Sequence, residues 1–154
     1  SGKAEELSEN LIALKERNEI TIQKKLSIKN PAEKKISIGN ESEIDGKILS
    51  ISKVKKDEVK IGKTKNVEFI SADGLNSFFI VRIWEQGDKF FPIGMQGSKK
   101  ISDYLNDIKI NSFEKKEQLV LENKGNIVWV IGKRLDDRFK VTPNTKKVLK
   151  LCLK

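Results

Sequence analysis

Phe78-Phe-Ile-Val-Arg-Ile-Trp84, then Gly87-Asp-Lys-Phe-Phe-Pro-Ile-Gly-Met-Gln-Gly-Ser-Lys-Lys100, then Ile127-Val-Trp-Val-Ile131 are the segments on which the fold turns. The first and last are apolar runs that carry both tryptophans, so a compact core forms between residues 78 and 140. The middle segment places Gly87, Gly94 and Gly97 just ahead of Lys99 and Lys100, where a helix is predicted to start with Ser98 as its cap. Backbone N–H groups at such a start, with two ammonium groups beside them, form a seat for phosphate oxygens that needs no catalytic group.

Ile101, Tyr104, Leu105 and Ile108 follow at three- and four-residue spacing, which turns one helical face inward. Leu119–Leu121 and Ile127–Ile131 read as a hairpin around Asn123-Lys-Gly-Asn126, with a short helical turn at 113–117 before it and a last strand from Val148 to Leu153. Upstream, an acidic segment at 1–10 starts abruptly, as a cut chain would. A hairpin is predicted at Leu11 to Gln23, a short strand at Ile36 and Ile38, and a strand from Ile48 to Val54 after the Asp45-Gly46 turn. Lys53-Val-Lys-Lys56 reads as a basic sheet edge that blocks aggregation. The apolar content shifts near 65–76. The expected architecture is therefore α+β and β-rich, with a small β unit at 1–65 followed by a compact domain at 66–154 in which a short helix packs on sheet.

Lys and Arg number 31 against 22 Asp and Glu, a formal charge of +9. Residues 1–75 carry 15 basic and 13 acidic side chains, or +2, and residues 76–154 carry 16 and 9, or +7. The surplus sits with the core and favours a polyanionic partner. There is no histidine, and Cys152 is the single cysteine, which removes the usual general base and any cysteine-type zinc site. No apolar run approaches the roughly 20 residues that span a bilayer. A reducing, cytoplasmic setting fits best, with no membrane role.

Gly94-Met-Gln-Gly97-Ser98-Lys99 lacks the Gly-x4-Gly-Lys-[Ser/Thr] order of a nucleotide loop, so no ATP site is read there. Asp136-Asp137 is flanked by Lys133, Arg134 and Arg138 and is read as ion-paired rather than metal-binding. Trp84, Trp129, Phe90 and Phe91 are read as core. Arg82 interrupts an apolar strand and needs a partner: a carboxylate such as Asp88, or a bound anion.

The order Val81-Arg-Ile-Trp-Glu-Gln-Gly-Asp-Lys-Phe-Phe-Pro-Ile-Gly-Met-Gln-Gly-Ser-Lys-Lys-Ile-Ser-Asp-Tyr104, followed by Ile127-Val-Trp-Val-Ile-Gly-Lys-Arg-Leu-Asp-Asp-Arg-Phe-Lys-Val-Thr142, resembles the C-terminal domain of the bacterial tRNA(Ile)-lysidine synthetase family. The resemblance covers residues 66–151, and the hairpin from Leu14-Lys-Glu-Arg17 to Ile22 resembles the family's intermediate domain. Asn111 and Phe79 stand where the family often has proline. The resemblance implies a parent ligase that uses ATP and magnesium to attach lysine to the wobble cytidine of tRNA(Ile). That chemistry would belong to an N-terminal catalytic domain whose Ser-Gly-Gly-x-Asp-Ser loop is nowhere in these residues. The present segment would need no cofactor and would hold tRNA(Ile), with the acceptor stem as its target. A duplex stem suits basic and polar groups on a rigid scaffold. Arg82, Lys99, Lys100, Lys133, Arg134, Arg138 and Lys140 are the candidate tRNA contacts, expected to meet on one face. The same domain type also resembles an architectural part of phenylalanyl-tRNA synthetase, so a protein-docking module is the alternative. Homodimer formation is left open.

Overall fold

The computed structural model describes residues 33–60 and 66–154. The chain divides into two compact units, 1–34 and 35–154, and nearly all of the described residues belong to the second. The hairpin expected at Leu11 to Gln23 lies outside the described residues.

The strands are β1 (Lys34–Ser37), β2 (Glu41–Ile44), β3 (Lys47–Val54), β4 (Val67–Ser71), β5 (Phe78–Ile83), β6 (Lys89–Phe90), β7 (Lys99–Lys100), β8 (Leu119–Asn123), β9 (Asn126–Val130), β10 (Arg134–Leu135) and β11 (Val148–Leu153). The helices are α1 (Ile101–Asp107) and α2 (Ser112–Lys116). One sheet runs β10-β9-β8-β5-β1, another runs β2-β3-β11-β4, and β6-β7 is a two-stranded ribbon. This β-rich α+β architecture is the one expected.

Two hairpin turns follow directly from local chemistry. Asp45 and Gly46 have φ of 51° and 77°, and Lys124 and Gly125 have 54° and 79°. Both central residues are left-handed in each, the geometry whose twist matches that of the strands it joins. The second turn makes β8 and β9 neighbours. Between Ile127 and Trp129 the register slips by one residue. That bulge reverses the alternation of β9. Ile127 and Val130 therefore face α1, while Val128 and Trp129 face the other sheet.

Two cores result. The larger lies between the two sheets and includes Phe79, Leu121 and Trp129 from one and Leu49, Ile51, Ile70, Leu149 and Leu151 from the other. The smaller packs Ile101, Tyr104 and Leu105 of α1 on Val120, Ile127 and Val130, with Phe90 set edge-on to Tyr104 at 5.2 Å. Trp129 is fully buried, and its indole N–H finds no acceptor among the described residues. Trp84 is half-buried, and its Nε1 donates to the Lys115 carbonyl at 2.6 Å.

Several local expectations differ from this structure. Ser98 does not cap α1. Lys100 occupies the cap position without a side-chain hydrogen bond, and Lys99 and Lys100 form β7 instead of the first helical turn. The phosphate seat expected at that helix start is closed in part, because the Ile101 N–H donates to the Asp88 carbonyl at 2.9 Å. Ile108 ends the helix at the surface instead of completing its inward face. The basic edge expected at Lys53 to Lys56 is met in part: β2 reaches along β3 only to Ser50, so Lys53 pairs with Leu149 of β11 alone, and Lys55 and Lys56 lie beyond the strand's end. β11 pairs with β3 from Val148↔Val54 to Leu153↔Leu49, so the boundary read from composition at 65/66 falls inside the unit that spans 35–154.

Candidate nucleic-acid interface

The ribbon β6-β7 pairs Lys89 with Lys100 and Phe90 with Lys99. Directly opposed residues share one face of a ribbon, so this register sorts the lysines. Phe90 is fully buried against α1, which puts Lys99 on the helix side, where its ammonium pairs with Asp107. Lys89 and Lys100 share the other face, and both are exposed. Like charges directly opposed on a ribbon destabilise it, and no carboxylate is paired with either among the described residues.

Beside Lys89 the chain continues through Phe91 and Pro92, which bridges to Asp136. Asp136 is a fully buried carboxylate and accepts four hydrogen bonds. Its Oδ2 takes the Phe91 N–H at 2.9 Å and Arg138 Nη2 at 3.0 Å. Its Oδ1 takes the Arg138 N–H at 2.8 Å and Arg138 Nε at 3.0 Å. The Arg138 guanidinium is thereby fixed 4.4 Å from the Phe91 ring centre and 5.5 Å from that of Phe139. Its Nη1 takes no part in these bonds, and the side chain is 40% exposed. Lys89, Phe91, Ser98, Asn126, Ile127 and Arg138 line one shallow groove, together with Asp88, whose carboxylate is already paired with Arg82. Cations, a hydroxyl, an amide and an aromatic face thus converge there on a rigid frame, an arrangement suited to phosphate and sugar oxygens rather than to bond-making chemistry. Lys89 is not among the residues that the sequence singles out. The signal that finds it is its opposition to Lys100, which requires the strand register.

The other candidates lie elsewhere. Arg82 donates Nη1 to Asp88 at 2.8 Å and Nε to Glu122 at 2.9 Å, and these carboxylates raise its pKa further above the ordinary arginine value against the opposing effect of burial. Of the two partners open to it from sequence, the carboxylate is the one observed. Lys133 reaches Glu114 at 3.4 Å, and Arg134 Nη1 donates to the Ile93 carbonyl at 3.0 Å with its guanidinium 6.0 Å from the Tyr104 ring. Lys140 pairs with Asp137 at 3.1 Å. The structure therefore brings Lys100 and Arg138 to the Lys89 face, while Lys99, Arg82, Lys133, Arg134 and Lys140 are engaged with partners of their own, Arg82 with an Asp88 that lines the same groove. Asp136 and Asp137 are ion-paired, and no cluster suited to a metal ion occurs among the described residues. Nor does any described helix have the length and apolarity to cross a membrane.

Residues 79–151 match the family described as the TilS substrate C-terminal domain. Over 89 residues the chain is 42% identical to a tRNA(Ile)-lysidine synthase of Parabacteroides distasonis, a match that covers 58% of this chain and 20% of that protein. Over 111 residues it is 38% identical to the enzyme of the same name from Clostridium perfringens, covering 69% and 22%. The chain thus spans about a fifth of the length of these relatives. A crystal structure of a TilS C-terminal domain superposes with a TM-score of 0.67 over 79% of this chain and 96% of that one, at 16% identity, a likeness of fold.

Proposed function

We propose, for a chain whose residues 79–151 are a TilS substrate C-terminal domain, that its role is to hold the tRNA substrate of a tRNA(Ile)-lysidine synthase. In this reading the whole enzyme is a cytoplasmic ATP-dependent ligase that joins lysine to the wobble cytidine of tRNA(Ile). ATP and magnesium belong to an N-terminal catalytic domain, and the present residues grip the acceptor stem. The observation that carries the reading is the pairing of Lys89 with Lys100 on an exposed ribbon with no compensating carboxylate among the described residues. Such an arrangement costs folding energy that an anionic partner restores. Arg138, aimed by Asp136 beside that ribbon, supplies a further contact that is sterically fixed before binding. In this reading the site positions its ligand and leaves it unchanged.

The test is tRNA affinity over a salt series. Lys89→Ala with Lys100→Ala should weaken binding across tRNA sequences and flatten the slope of log K against log salt by about one to two units. Lys99→Ala should have a smaller effect, since its ammonium is already held by Asp107. Removing the same charge at Lys47 and Lys116 serves as the control. An unchanged slope for the ribbon pair would overturn the reading.

A second reading, protein docking, has one observation in its favour. Phe113 on α2 is 71% exposed and lines a groove floored by Ile44, Leu119 and Leu153. Phe113→Ala should leave tRNA binding by this chain intact while weakening its association with the rest of the enzyme, read by gel filtration of the two parts.

A further inference from the structure

Where β1 and β3 end and β11 begins, the two sheets part to leave a groove of about 550 Å³ that shares no lining residue with the ribbon site. Its floor is apolar, with Ile38, Leu75 and Val148, and three ammonium side chains line it: Lys53, Lys146 and Lys147. We infer that this groove is a binding site for a nucleoside phosphate, the apolar floor taking the flat face of the base and the lysines taking the phosphate.

Four observations carry this. First, no Asp or Glu lines the groove among the described residues. The neighbouring acid is Asp73, whose Oδ2 and Oδ1 accept the backbone N–H groups of Lys146 and Lys147 at 2.9 and 2.8 Å. Those backbone bonds, with the two lysine charges behind them, hold its carboxyl below the ordinary aspartate range. Asp73 therefore offsets part of the positive charge, yet it is spent on anchoring the 146–147 backbone. Second, that anchoring is reinforced by the Ala72 N–H, which donates to the Lys147 carbonyl at 2.8 Å, so two of the lysines project from a fixed segment. The remaining one, Lys53, comes from β3 opposite Leu149. Third, the hydroxyls of Ser37 and Ser77 lie at the same groove and can meet ribose or phosphate oxygens. Fourth, the volume falls within the range of small-molecule sites, roomy enough for one nucleotide and too narrow for a duplex.

A base and phosphate can come from a free mononucleotide or from an unpaired nucleotide of a longer RNA. The second source rests on the RNA-binding role proposed above and the first does not.

The probes are adenosine monophosphate, inorganic phosphate and a single-stranded hexanucleotide RNA, each titrated into the 154-residue chain with methyl NMR as the readout. Adenosine monophosphate should shift the methyl signals of Ile38, Leu75 and Val148. The variant with Lys53, Lys146 and Lys147 all changed to Ala should bind it at least 10-fold more weakly while unfolding at the same temperature. If that variant fails to fold, Lys146→Ala alone, which keeps the backbone bond to Asp73, should still weaken binding several-fold. Inorganic phosphate should bind more weakly and leave the Ile38 and Leu75 methyls unmoved. Displacement of the mononucleotide by the hexanucleotide would identify RNA as the source, and failure to displace it would identify the free nucleotide. Lys89→Ala with Lys100→Ala should leave mononucleotide binding unchanged, so failure of the ribbon site does not touch this one. Absence of methyl shifts with adenosine monophosphate, or equal affinity in the lysine variants, would overturn the inference.

Discussion

A chain that begins at Asn66 is expected to lose cooperative unfolding altogether, while one that begins at Glu33 keeps it. The reason lies in what residues 34–54 contribute to the core between the sheets. Leu49 and Ile51 are fully buried there, and Ile36 and Ile44 are 2% and 7% exposed. Truncating one such side chain to alanine typically costs about 2–5 kcal/mol. Losing all four, about 8–20 kcal/mol on that scale, matches or exceeds the roughly 5–15 kcal/mol that separates folded from unfolded states in an ordinary domain. The deletion also strips β11 of its six-residue pairing with β3 and exposes Leu149 and Leu151 as part of a bare apolar edge. Such an edge invites aggregation. The measurement is urea unfolding followed by tryptophan fluorescence. Trp129 is in the affected core and Trp84 is partly packed on the smaller one, so both would report. A sigmoidal transition of normal steepness for 66–154 would show that the second half carries a sufficient core of its own.

Asp136→Ala is expected to cost about 3 kcal/mol, because it removes a buried carboxylate while leaving its donors behind. The Phe91 and Arg138 N–H groups would be stranded in a low-dielectric setting. The Arg138 side chain is 40% exposed and can rehydrate, which keeps the loss below that of a fully buried pair. Asp136→Asn keeps the volume and one acceptor oxygen and should cost about half as much. Both substitutions release the guanidinium from its place over Phe91. Asp136 is thus a positioning residue: under the proposed function its loss weakens tRNA binding in step with Arg138→Ala, and the two changes together do little more than either alone. Equal unfolding midpoints for Asp136→Ala and the parent chain would contradict this account of the carboxylate. Additive losses in tRNA affinity would break the link from Asp136 through Arg138 to RNA.

Some features of this protein are decided within a few residues, and these are legible directly. Asp45-Gly46 and Lys124-Gly125 can form tight left-handed turns, and the alternation or apolar continuity on either side leaves strands as the outcome. Ile101, Tyr104 and Leu105 recur at helical spacing, so the inward face of α1 follows from the order of residues alone. The long match in 81–104 and 127–142 likewise carries the family resemblance. Other features depend on partners distant in sequence. That Lys100 faces outward and Lys99 faces α1 is set by their opposition to Lys89 and Phe90. A shift of one residue would exchange the two. Arg82 has a possible partner in Asp88 six residues on, and the fold both makes that pair and adds Glu122, forty residues away, beside it. The place of residues 34–54 is hidden for the same reason: their short strands look marginal alone and become core when β11, from the far end of the sequence, pairs with β3. Local propensity and spacing determined the two tight turns, the strands beside them and the inward face of the helix. Strand order and register decided which lysines are free to meet an anion, because pairing between sheet neighbours is a contact that no local pattern records.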